Sequence, residues 1–421
     1  MATFVFLNLP ARGHINPTLP IVHELVARGN EVHYFNSEEH RRIVEASGAR
    51  FHLLPALERL GNTELSSSEP PGDKQIALMP FVMAYQSTKV LPELIEKIKG
   101  LKPDCLVYNT LSLWGRLIGQ ILEVSAVAFR PFHAPRMHRS VTAPFASDRL
   151  ARLAAGADGE LEQLARSFGR SPQTLQELVA HIEELTLIFM PREFQTEGQF
   201  FDQRFLFVGP SFIEGPTEPW PFEKPEGSIP LRVYISLGTL RNNDPEFYVT
   251  CFSAFDSSQW QVVMSVGEKV DLASLTPIPD NFLVARSVRQ TALLSNVDVF
   301  VTHGGLNSVM ESLYFGVPLV VVPGIREQRL TASRVQELGL GVALQPETLT
   351  PEILVTTAKN VALDPEIQTR VKVMQSLTRT AGGFKRAAEA IIDFASSTSD
   401  TLNSNRSRDS HVDGTIRCST T

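Results

Sequence analysis

The residues with the clearest chemical pattern follow an apolar run that ends in a glycine turn. The run 297–302 is typical of a strand buried on both faces, and His303 stands at its carboxyl end. Two glycines come next, and Asn307 and Ser308 then open a segment whose apolar residues have helical spacing. Glycine lets the backbone approach a ligand closely, and the first N–H groups of a helix bind anions. The pattern therefore predicts a ligand site in which His303, backbone N–H groups and Ser308 meet a phosphate, with Gly305 and Asn307 among the residues that bind the same ligand.

The same stretch also fits an ordinary helix start. Ser308 and Glu311 have the spacing of a capping box, in which two side chains satisfy free N–H groups at the start of the helix. Alternatively, the Glu311 carboxylate, which only accepts hydrogen bonds when ionised, suits a pair of sugar hydroxyls beside the phosphate. Open α/β sheets bind ligands at the carboxyl ends of their strands, where His303 is expected, so we favour the ligand site.

A second histidine follows the first apolar strand. His14 comes after Gly13 in a tight loop that joins the predicted strand 3–9 to the predicted helix 18–28. Histidine is suited to proton transfer near neutral pH, and this loop is expected at the carboxyl edge of its own sheet. We predict that His14 is a general base, which takes the proton of a hydroxyl as the oxygen attacks an electrophilic carbon.

Both halves of the chain alternate apolar strands with helices, and neither shows the period-2 hairpins of antiparallel sheets. A chain of 421 residues exceeds a usual single domain. The segment 209–230 holds six prolines and no apolar period, so we predict that it is a linker. We expect α/β domains at 1–208 and 231–382, a last helix at 383–395 and a disordered tail at 396–421, which has almost nothing to bury.

The composition is ordinary for a soluble globular protein, with 43% hydrophobic and 20% charged residues. A formal net charge of −7 argues against nucleic acid or an anionic membrane as a partner. No apolar run approaches the length of a membrane span, and the N-terminus lacks the basic leader of a signal peptide. Cys105, Cys251 and Cys418 are too widely spaced for a disulfide framework or a metal pattern. We expect a cytoplasmic protein with no stable membrane insertion.

The stretch His303-Gly-Gly-Leu-Asn-Ser-Val-Met-Glu311 resembles the donor-site signature of the UDP-sugar-dependent glycosyltransferases of the GT-B fold. Within these enzymes it is most similar to the bacterial macrolide-glycosyltransferase branch of family 1. The resemblance covers nearly the whole chain up to about Ser396. It implies two doubly wound Rossmann-like domains that face a central cleft. It also implies an acceptor site in the first domain, a nucleotide-sugar site in the second, and a last helix, 383–395, that crosses back onto the first domain.

Two other stretches of the second half match donor-binding segments of the family. Gly238 and Thr239 belong to a loop that lies beside the diphosphate in the family, although alone it is also an ordinary turn. Val288 and Gln290 match the uracil-binding segment, in which Arg289 replaces the usual proline. The resemblance implies that the backbone of Val288 contacts the edge of the base, and the replacement at 289 leaves that role open.

The adjacent residues Glu327 and Gln328 resemble the pair that binds hydroxyls of the donor sugar in the family. A carboxylate next to an amide offers both acceptors and donors to a polyol, whereas the alternative is an acidic first turn of a helix. No Asp-x-Asp motif occurs in the chain. The diphosphate leaving group would then be stabilised by the helix N-terminus, His303 and hydroxyls, so we predict no metal and no other cofactor.

The resembled enzymes orient their histidine with an aspartate at the end of a later strand, and the matching residue here is Asn109. Asparagine can accept a hydrogen bond from the ring N–H of His14, but it cannot stabilise an imidazolium. Three hypotheses follow. The enzyme acts on acidic acceptors such as phenols, a carboxylate from elsewhere compensates, or the protein is a weak or non-catalytic binder. We favour the first.

Apolar side chains in the irregular segments of the first half are candidates for the acceptor site, because such side chains above a cleft suit a hydrophobic ligand. Each of them also fits ordinary core packing. The candidates are Phe81, Met83, Phe132, Met137 and Phe145.

Together these features predict an inverting glycosyltransferase with His14 as its base. It would move a hexose, with glucose as the expected sugar, from a UDP-sugar to a hydroxyl of a polyketide, macrolide or phenolic natural product. Two alternatives stay open, a UDP-sugar epimerase-like enzyme and a nucleotide-sugar-binding auxiliary protein without turnover. A nicotinamide-dependent oxidoreductase is disfavoured, because no glycine fingerprint with a trailing acid follows the first strand.

Overall fold

The computed structural model describes residues 1–55, 73–134, 148–223, 229–239 and 242–412, with side chains described in these ranges except at 73–77, 148–151 and 399–412.

The first half of the chain forms a parallel sheet with helices on both faces. Its strands are β1 (Thr3–Leu7), β2 (Glu31–Asn36), β3 (Arg50–Leu53), β4 (Cys105–Asn109), β5 (Ala126–Arg130), β6 (Thr186–Ile188) and β7 (Phe205–Phe207). Its helices are α1 (Arg12–Ile15), α2 (Leu19–Ala27), α3 (Arg41–Ala46), α4 (Asp73–Leu101), α5 (Leu113–Leu122), α6 (Asp148–Ser167) and α7 (Leu175–Ala180). The seven strands lie in the order β3-β2-β1-β4-β5-β6-β7, so the order reverses between β1 and β4.

Strand β1 shows why these strands are apolar throughout. Phe4 and Phe6 pack into one hydrophobic layer, whereas Val5 and Leu7 pack into the layer on the opposite face. Successive side chains of a strand point to opposite faces, so a sheet covered on both sides needs apolar residues at every position.

The second half repeats this plan. Its strands are β8 (Leu231–Ser236), β9 (Trp260–Ser265), β10 (Phe282–Ala285), β11 (Val299–Thr302), β12 (Leu319–Val321) and β13 (Gly341–Ala343), in the order β10-β9-β8-β11-β12-β13. Its helices are α8 (Pro245–Phe255), α9 (Gln290–Leu293), α10 (Leu306–Phe315), α11 (Arg326–Glu337), α12 (Pro351–Leu363), α13 (Pro365–Thr380) and α14 (Gly383–Val412). All described strand pairs are parallel, and the order again reverses at β8 and β11, which places a ligand crevice at their carboxyl ends.

The last helix packs onto the first domain. Ala387, Ala388 and Ile391 of α14 are fully buried in the same hydrophobic layer as Val22 and Leu25 of α2. Helix α14 extends to Val412, past residue 395 where the sequence predicted the end of the last helix, and the disorder of the tail stays a prediction. No proline or glycine interrupts the chain between 384 and 413, so nothing in the backbone chemistry ends the helix there. Residues 413–421 lie outside the described part.

Helix α4, Asp73–Leu101, is one continuous element that contains Pro80 and Pro92. No helix in the described part of the chain combines the length and apolar character that crossing a bilayer requires.

Candidate active site

The predicted phosphate corner lies between β11 and α10. The chain leaves β11 at Thr302, passes Gly304 in the left-handed region (φ +85°) and starts α10 after Gly305, which is the N-cap and has no side-chain cap. Ser308 is the third residue of the helix, so the capping box with Glu311 predicted as the alternative does not form. The N–H groups of the first turn are therefore not satisfied by a cap, as an anion site requires.

The imidazole of His303 fills the space between two glycines. A Cβ atom at Gly238 would stand 2.4 Å from Cε1 of the ring, and one at Gly305 would stand 2.5 Å from Nε2. Burial lowers the pKa of His303 to about 4, although a hydrogen bond to the backbone of Ser236 opposes this shift. His303 is therefore neutral near pH 7, with one ring N–H to donate. Thr239 follows Gly238 and is exposed at the end of the described loop.

Two predicted donor ligands from separate stretches meet beside this corner. Gln290, the first residue of α9, donates its side-chain amide to the Glu311 carboxylate at 2.6 Å. Burial raises the pKa of Glu311 to about 7, and the Gln290 hydrogen bond opposes the rise. Val288 lies two residues before Gln290 and packs, partly buried, against the core of the second domain.

The predicted sugar-binding pair occupies the start of α11. Burial raises the pKa of Glu327 to about 7. The amide oxygen of Gln328 accepts hydrogen bonds from the backbone N–H groups of Gly324 and Ile325, at 2.8 and 3.2 Å. That oxygen therefore caps its own helix, and the contact of either residue with a donor sugar stays a prediction.

Asn307 links this corner to the first domain. Its side-chain amide donates to the carbonyl oxygen of Gly13 at 2.8 Å. A cavity of about 350 Å³ opens between the domains beside this link, and it is bordered by Asn16, Phe212 and Glu311. Glu311, the predicted partner of sugar hydroxyls, therefore borders open space between the two domains.

His14 and Asn109 stand together at the carboxyl edge of the first sheet. The register pairs Leu7 of β1 with Tyr108 of β4, so the next residues, Asn8 and Asn109, come side by side. The amide nitrogen of Asn109 lies 2.7 Å from Nδ1 of His14, so the pairing implied by the resemblance is present. Burial lowers the pKa of His14 to about 4, and the Asn109 hydrogen bond opposes this shift.

The acceptor candidates separate into three groups. The Phe132 ring centroid lies 6.2 Å from that of His14, beside the predicted reaction site. Phe81 and Met83 are 8% and 7% exposed within the hydrophobic core of the first domain, so core packing accounts for both and their acceptor role stays a prediction. Met137 and Phe145 lie outside the described residues.

Sequence reasoning missed several polar contacts in this region. Asn8 is fully buried and hydrogen-bonds Asn109, and its place directly after the first strand was the available signal. Nε2 of His133, the residue after Phe132, lies 3.3 Å from the Thr331 hydroxyl of α11 in the second domain. No sequence pattern links two residues so far apart along the chain, so this interdomain contact could not be predicted.

The fold and the site together define a twin-domain enzyme that uses a nucleotide sugar. A family model described as "Erythromycin biosynthesis protein CIII-like, C-terminal domain" matches residues 253–378. The chain is 36% identical to the NDP-glycosyltransferase YjiC of Bacillus subtilis, over 92% of this chain and 96% of that protein. It is 31% identical to the demethyllactenocin mycarosyltransferase of Streptomyces fradiae, over 93% of this chain and 86% of that protein.

Solved structures agree with these relatives. The calicheamicin glycosyltransferase CalG4 superimposes with a TM-score of 0.80 at 28% identity, covering 94% of this chain and 98% of that chain. The chain belongs to the macrolide-type branch of the family 1 glycosyltransferases and has the GT-B fold. The transferase is thereby favoured over the epimerase and the non-catalytic binding protein.

Proposed function

We propose that this enzyme transfers a hexose, with glucose as the expected sugar, from UDP to a hydroxyl of a hydrophobic small molecule, with inversion at the anomeric carbon. The observation that carries the proposal is the 2.8 Å hydrogen bond from Asn307 to Gly13. This bond holds the predicted phosphate corner against the loop that bears His14. An acceptor oxygen beside His14 would then lie within reach of a sugar attached to a diphosphate in the corner.

The second domain supplies the groups that a nucleoside diphosphate needs. The uncapped start of α10 and the neutral imidazole of His303 offer N–H groups to the phosphates. As the bond between the anomeric carbon and the phosphate oxygen breaks, these groups stabilise the charge on the leaving UDP, so the proposal requires no metal. Among the described residues no cluster of His, Cys, Asp and Glu side chains is arranged to hold one.

The hydrogen-bonded pair Gln290 and Glu311 is proposed to hold the ribose, and the backbone of Val288 to contact the uracil. An ionised Glu311 can accept from two sugar hydroxyls, and its carboxylate already accepts a hydrogen bond from the Gln290 amide. Thr239, Ser308, Glu327 and the amide nitrogen of Gln328 are proposed to complete the contacts with the diphosphate and the sugar.

The acceptor is proposed to be a natural product of the polyketide, macrolide or phenolic kind. Phe132 offers an aromatic surface beside His14, which suits an apolar acceptor. The names of the macrolide-modifying relatives support the same class. His14 is the group proposed to contact the acceptor hydroxyl. A general base would need Nε2 of this ring free of its proton. The hydrogen bond between Asn109 and Nδ1 determines which of the two ring nitrogens carries that proton.

The test is a transfer assay with UDP-glucose, other UDP-sugars and TDP-sugars against a panel of phenols, macrolides and alkyl alcohols. Glycoside formation is followed by mass spectrometry, and the anomeric configuration of the product by NMR. We expect a β-linked glucoside from UDP-glucose, which is α-linked, without added metal and in the presence of a chelator. Transfer only from TDP-sugars, or retention of configuration, would overturn the proposal.

A further inference from the structure

The side-chain amide of Asn109 has a defined orientation. Its oxygen accepts the backbone N–H of Leu111 at 2.9 Å. Its nitrogen faces two atoms, Oδ1 of Asn8 at 3.1 Å and Nδ1 of His14 at 2.7 Å. An amide nitrogen only donates, so it directs its two N–H bonds at these two atoms.

The neighbouring amide prevents the reverse orientation. Oδ1 of Asn8 accepts the N–H of Leu9 at 2.8 Å, while its nitrogen donates to the His14 carbonyl at 2.9 Å and to the Tyr34 hydroxyl at 2.8 Å. Turning Asn109 over would set its oxygen against the Asn8 oxygen and its N–H groups against the Leu111 N–H. Both contacts would be mismatched, so the hydrogen-bond network, rather than an arbitrary choice of atoms, fixes the amide.

This orientation determines the proton position on His14. Because Asn109 donates to Nδ1, that nitrogen is the acceptor, and the single proton of the neutral ring sits on Nε2. Burial holds the pKa of His14 at about 4, and no charged side chain contributes to that shift. Near neutral pH the free nitrogen needed to remove a proton is therefore turned toward Asn109, and Nε2 can only donate.

A second observation concerns charge on the same side of the sheet. Arg130 ends β5 with its Cζ 5.9 Å from the Phe132 ring centroid, and its Nε has no hydrogen-bond partner in the described part of the chain. Arg116 is 4% exposed and lies 3.9 Å from the Glu183 carboxylate, the one acidic partner that the described ion pairs give these two guanidinium groups.

Glu183 is an incomplete counterion, because its carboxylate also contacts other groups. It also accepts the Tyr108 hydroxyl at 2.6 Å and lies 3.2 Å from His181. Burial raises the pKa of the Glu183 carboxyl, and burial lowers the pKa of Arg130 to about 10, which still leaves Arg130 charged near pH 7. The described ion pairs give Arg130 no carboxylate partner, so its positive charge is unbalanced on the side of Phe132, whose ring is also near that of His14. In a partly desolvated site this excess favours an anion.

We propose that the acceptor hydroxyl enters this site as an anion, a phenolate, and that His14 donates its Nε2–H to that oxygen instead of taking a proton from it. This inference rests on the proposed function. The phenol loses its proton to solvent before reaction. The phenolate oxygen then forms a bond to the anomeric carbon, the bond from that carbon to the phosphate oxygen breaks, and its electron pair leaves with UDP. Asn109 acts as a positioning residue that sets the tautomer.

The deciding experiment is the pH dependence of kcat/KM for a series of substituted phenols that differ in their own pKa. If the phenolate is the substrate, the rising limb of each profile moves with the pKa of the phenol used. If His14 is a base, the rising limb falls at one pH for all phenols, since it reports a group of the enzyme. A fixed limb, or efficient transfer to alkyl alcohols near neutral pH, would overturn the inference.

Variants give an independent readout. Asn109→Asp places a carboxylate that accepts from Nδ1–H, but it also sets that carboxylate against Oδ1 of Asn8. The double variant Asn8→Ser with Asn109→Asp removes the conflicting oxygen. We expect this variant to transfer to alkyl alcohols roughly a hundredfold faster than the wild type, which is within the range of general base catalysis. The rising limb of its pH profile should fall at the same pH for every phenol. An equal gain on phenols and alkyl alcohols contradicts the inference.

Asn16→Asp is the matched control, because it adds the same charge in the His14 loop at an exposed residue that has no hydrogen bond to the ring. The rising limb of its pH profile should still move with the pKa of the phenol. A limb that falls at one pH for all phenols would contradict the tautomer assigned to His14. Should the double variant not fold, the phenol series on the wild type decides alone. Binding of UDP-glucose by calorimetry without glycoside from any phenol would instead defeat the proposed function, whereas transfer with a fixed limb defeats only the phenolate step.

Discussion

Asn307, in the first turn of α10, donates its side-chain amide to the backbone carbonyl of Gly13, one residue before His14, at 2.8 Å. A residue that the sequence places in the donor site thus also joins the two domains. Because the bond reaches a carbonyl beside His14, a change in the phosphate corner is transmitted directly to the loop on the acceptor side.

Replacing Asn307 by Ala should therefore reduce kcat/KM more than it reduces UDP affinity. We expect a loss of roughly tenfold, since an intramolecular hydrogen bond contributes about 1 kcal/mol and the position of His14 relaxes as well. Ser211→Ala is the matched control, because Ser211 in the linker donates to the Pro17 carbonyl. It also removes one side-chain hydrogen bond to a backbone carbonyl, but that carbonyl is not adjacent to His14, so an equal loss in both variants would contradict the special role of Asn307. Steady-state kinetics and calorimetry with UDP make the comparison.

The place of His303 between two glycines predicts a sharp steric effect. Gly305→Ala puts a methyl group 2.5 Å from Nε2 of the ring in a backbone conformation that alanine adopts freely. We expect UDP to bind at least about tenfold more weakly, equivalent to about 1.4 kcal/mol, because the imidazole must move away from the phosphate corner. Gly13→Ala is the control, since a Cβ atom there meets nothing within 4 Å. UDP titration of both variants measures the difference.

Glu311 predicts a pH dependence with a definite sign. Burial raises its pKa to about 7 in the folded chain, above its ordinary value of 4.5. The folded state therefore holds the proton more tightly than the unfolded state, so this residue favours folding at low pH. Its contribution is lost as the pH rises from the unfolded pKa through about 7, by up to about 3 kcal/mol. Glu311→Gln should flatten the stability profile over that window, as followed by thermal unfolding.

Ligand binding should show the opposite trend. If the ionised carboxylate accepts the ribose hydroxyls, UDP affinity rises with pH through about 7 and binding is accompanied by proton release. Glu327→Gln is the control, because burial raises the pKa of Glu327 to about 7 as well while the residue is proposed to contact the sugar. It should leave the pH dependence of UDP binding in place. Calorimetry in buffers of different ionisation enthalpy counts the released protons.

Phe132 predicts an effect confined to the acceptor. Phe132→Ala removes the ring that lies 6.2 Å from His14, so KM for an aromatic acceptor should rise while UDP affinity is unchanged. We expect a change of roughly tenfold, as for the loss of one aromatic contact of about 1 kcal/mol. Phe200→Ala, at a residue 72% exposed, is the matched control and should alter neither value.

Local patterns were sufficient to predict much of this molecule. The strand before His303, the helix after Gly305 and the domain linker all follow from runs of apolar residues, glycines and prolines. The pairing of Asn109 with His14 was implied only by resemblance to a family, and the contact between Gln290 and Glu311 was not predicted, because spacing along the chain carries no geometry.

What could not be predicted depends on tertiary contacts. The same Ser-x-x-Glu spacing allows a capping box, but α10 begins two residues before Ser308, so Ser308 is not at the cap position. Gln328 looks like a sugar ligand, yet its amide oxygen caps α11. The orientation of the Asn109 amide depends on Asn8, which belongs to no recognisable motif, so only the structure could reveal it.

The two passages of the chain between the domains run side by side. Gly383 donates its N–H to the carbonyl of Val208 at 2.7 Å, and a Cβ atom at Gly209 would stand 2.7 Å from Cβ of Ala381. Both crossings thus form one narrow strap rather than two separate tethers. Any opening of the cleft must swing about that strap, so the enzyme is a clamp with a single pivot, and opening must separate interdomain contacts such as the one between His133 and Thr331.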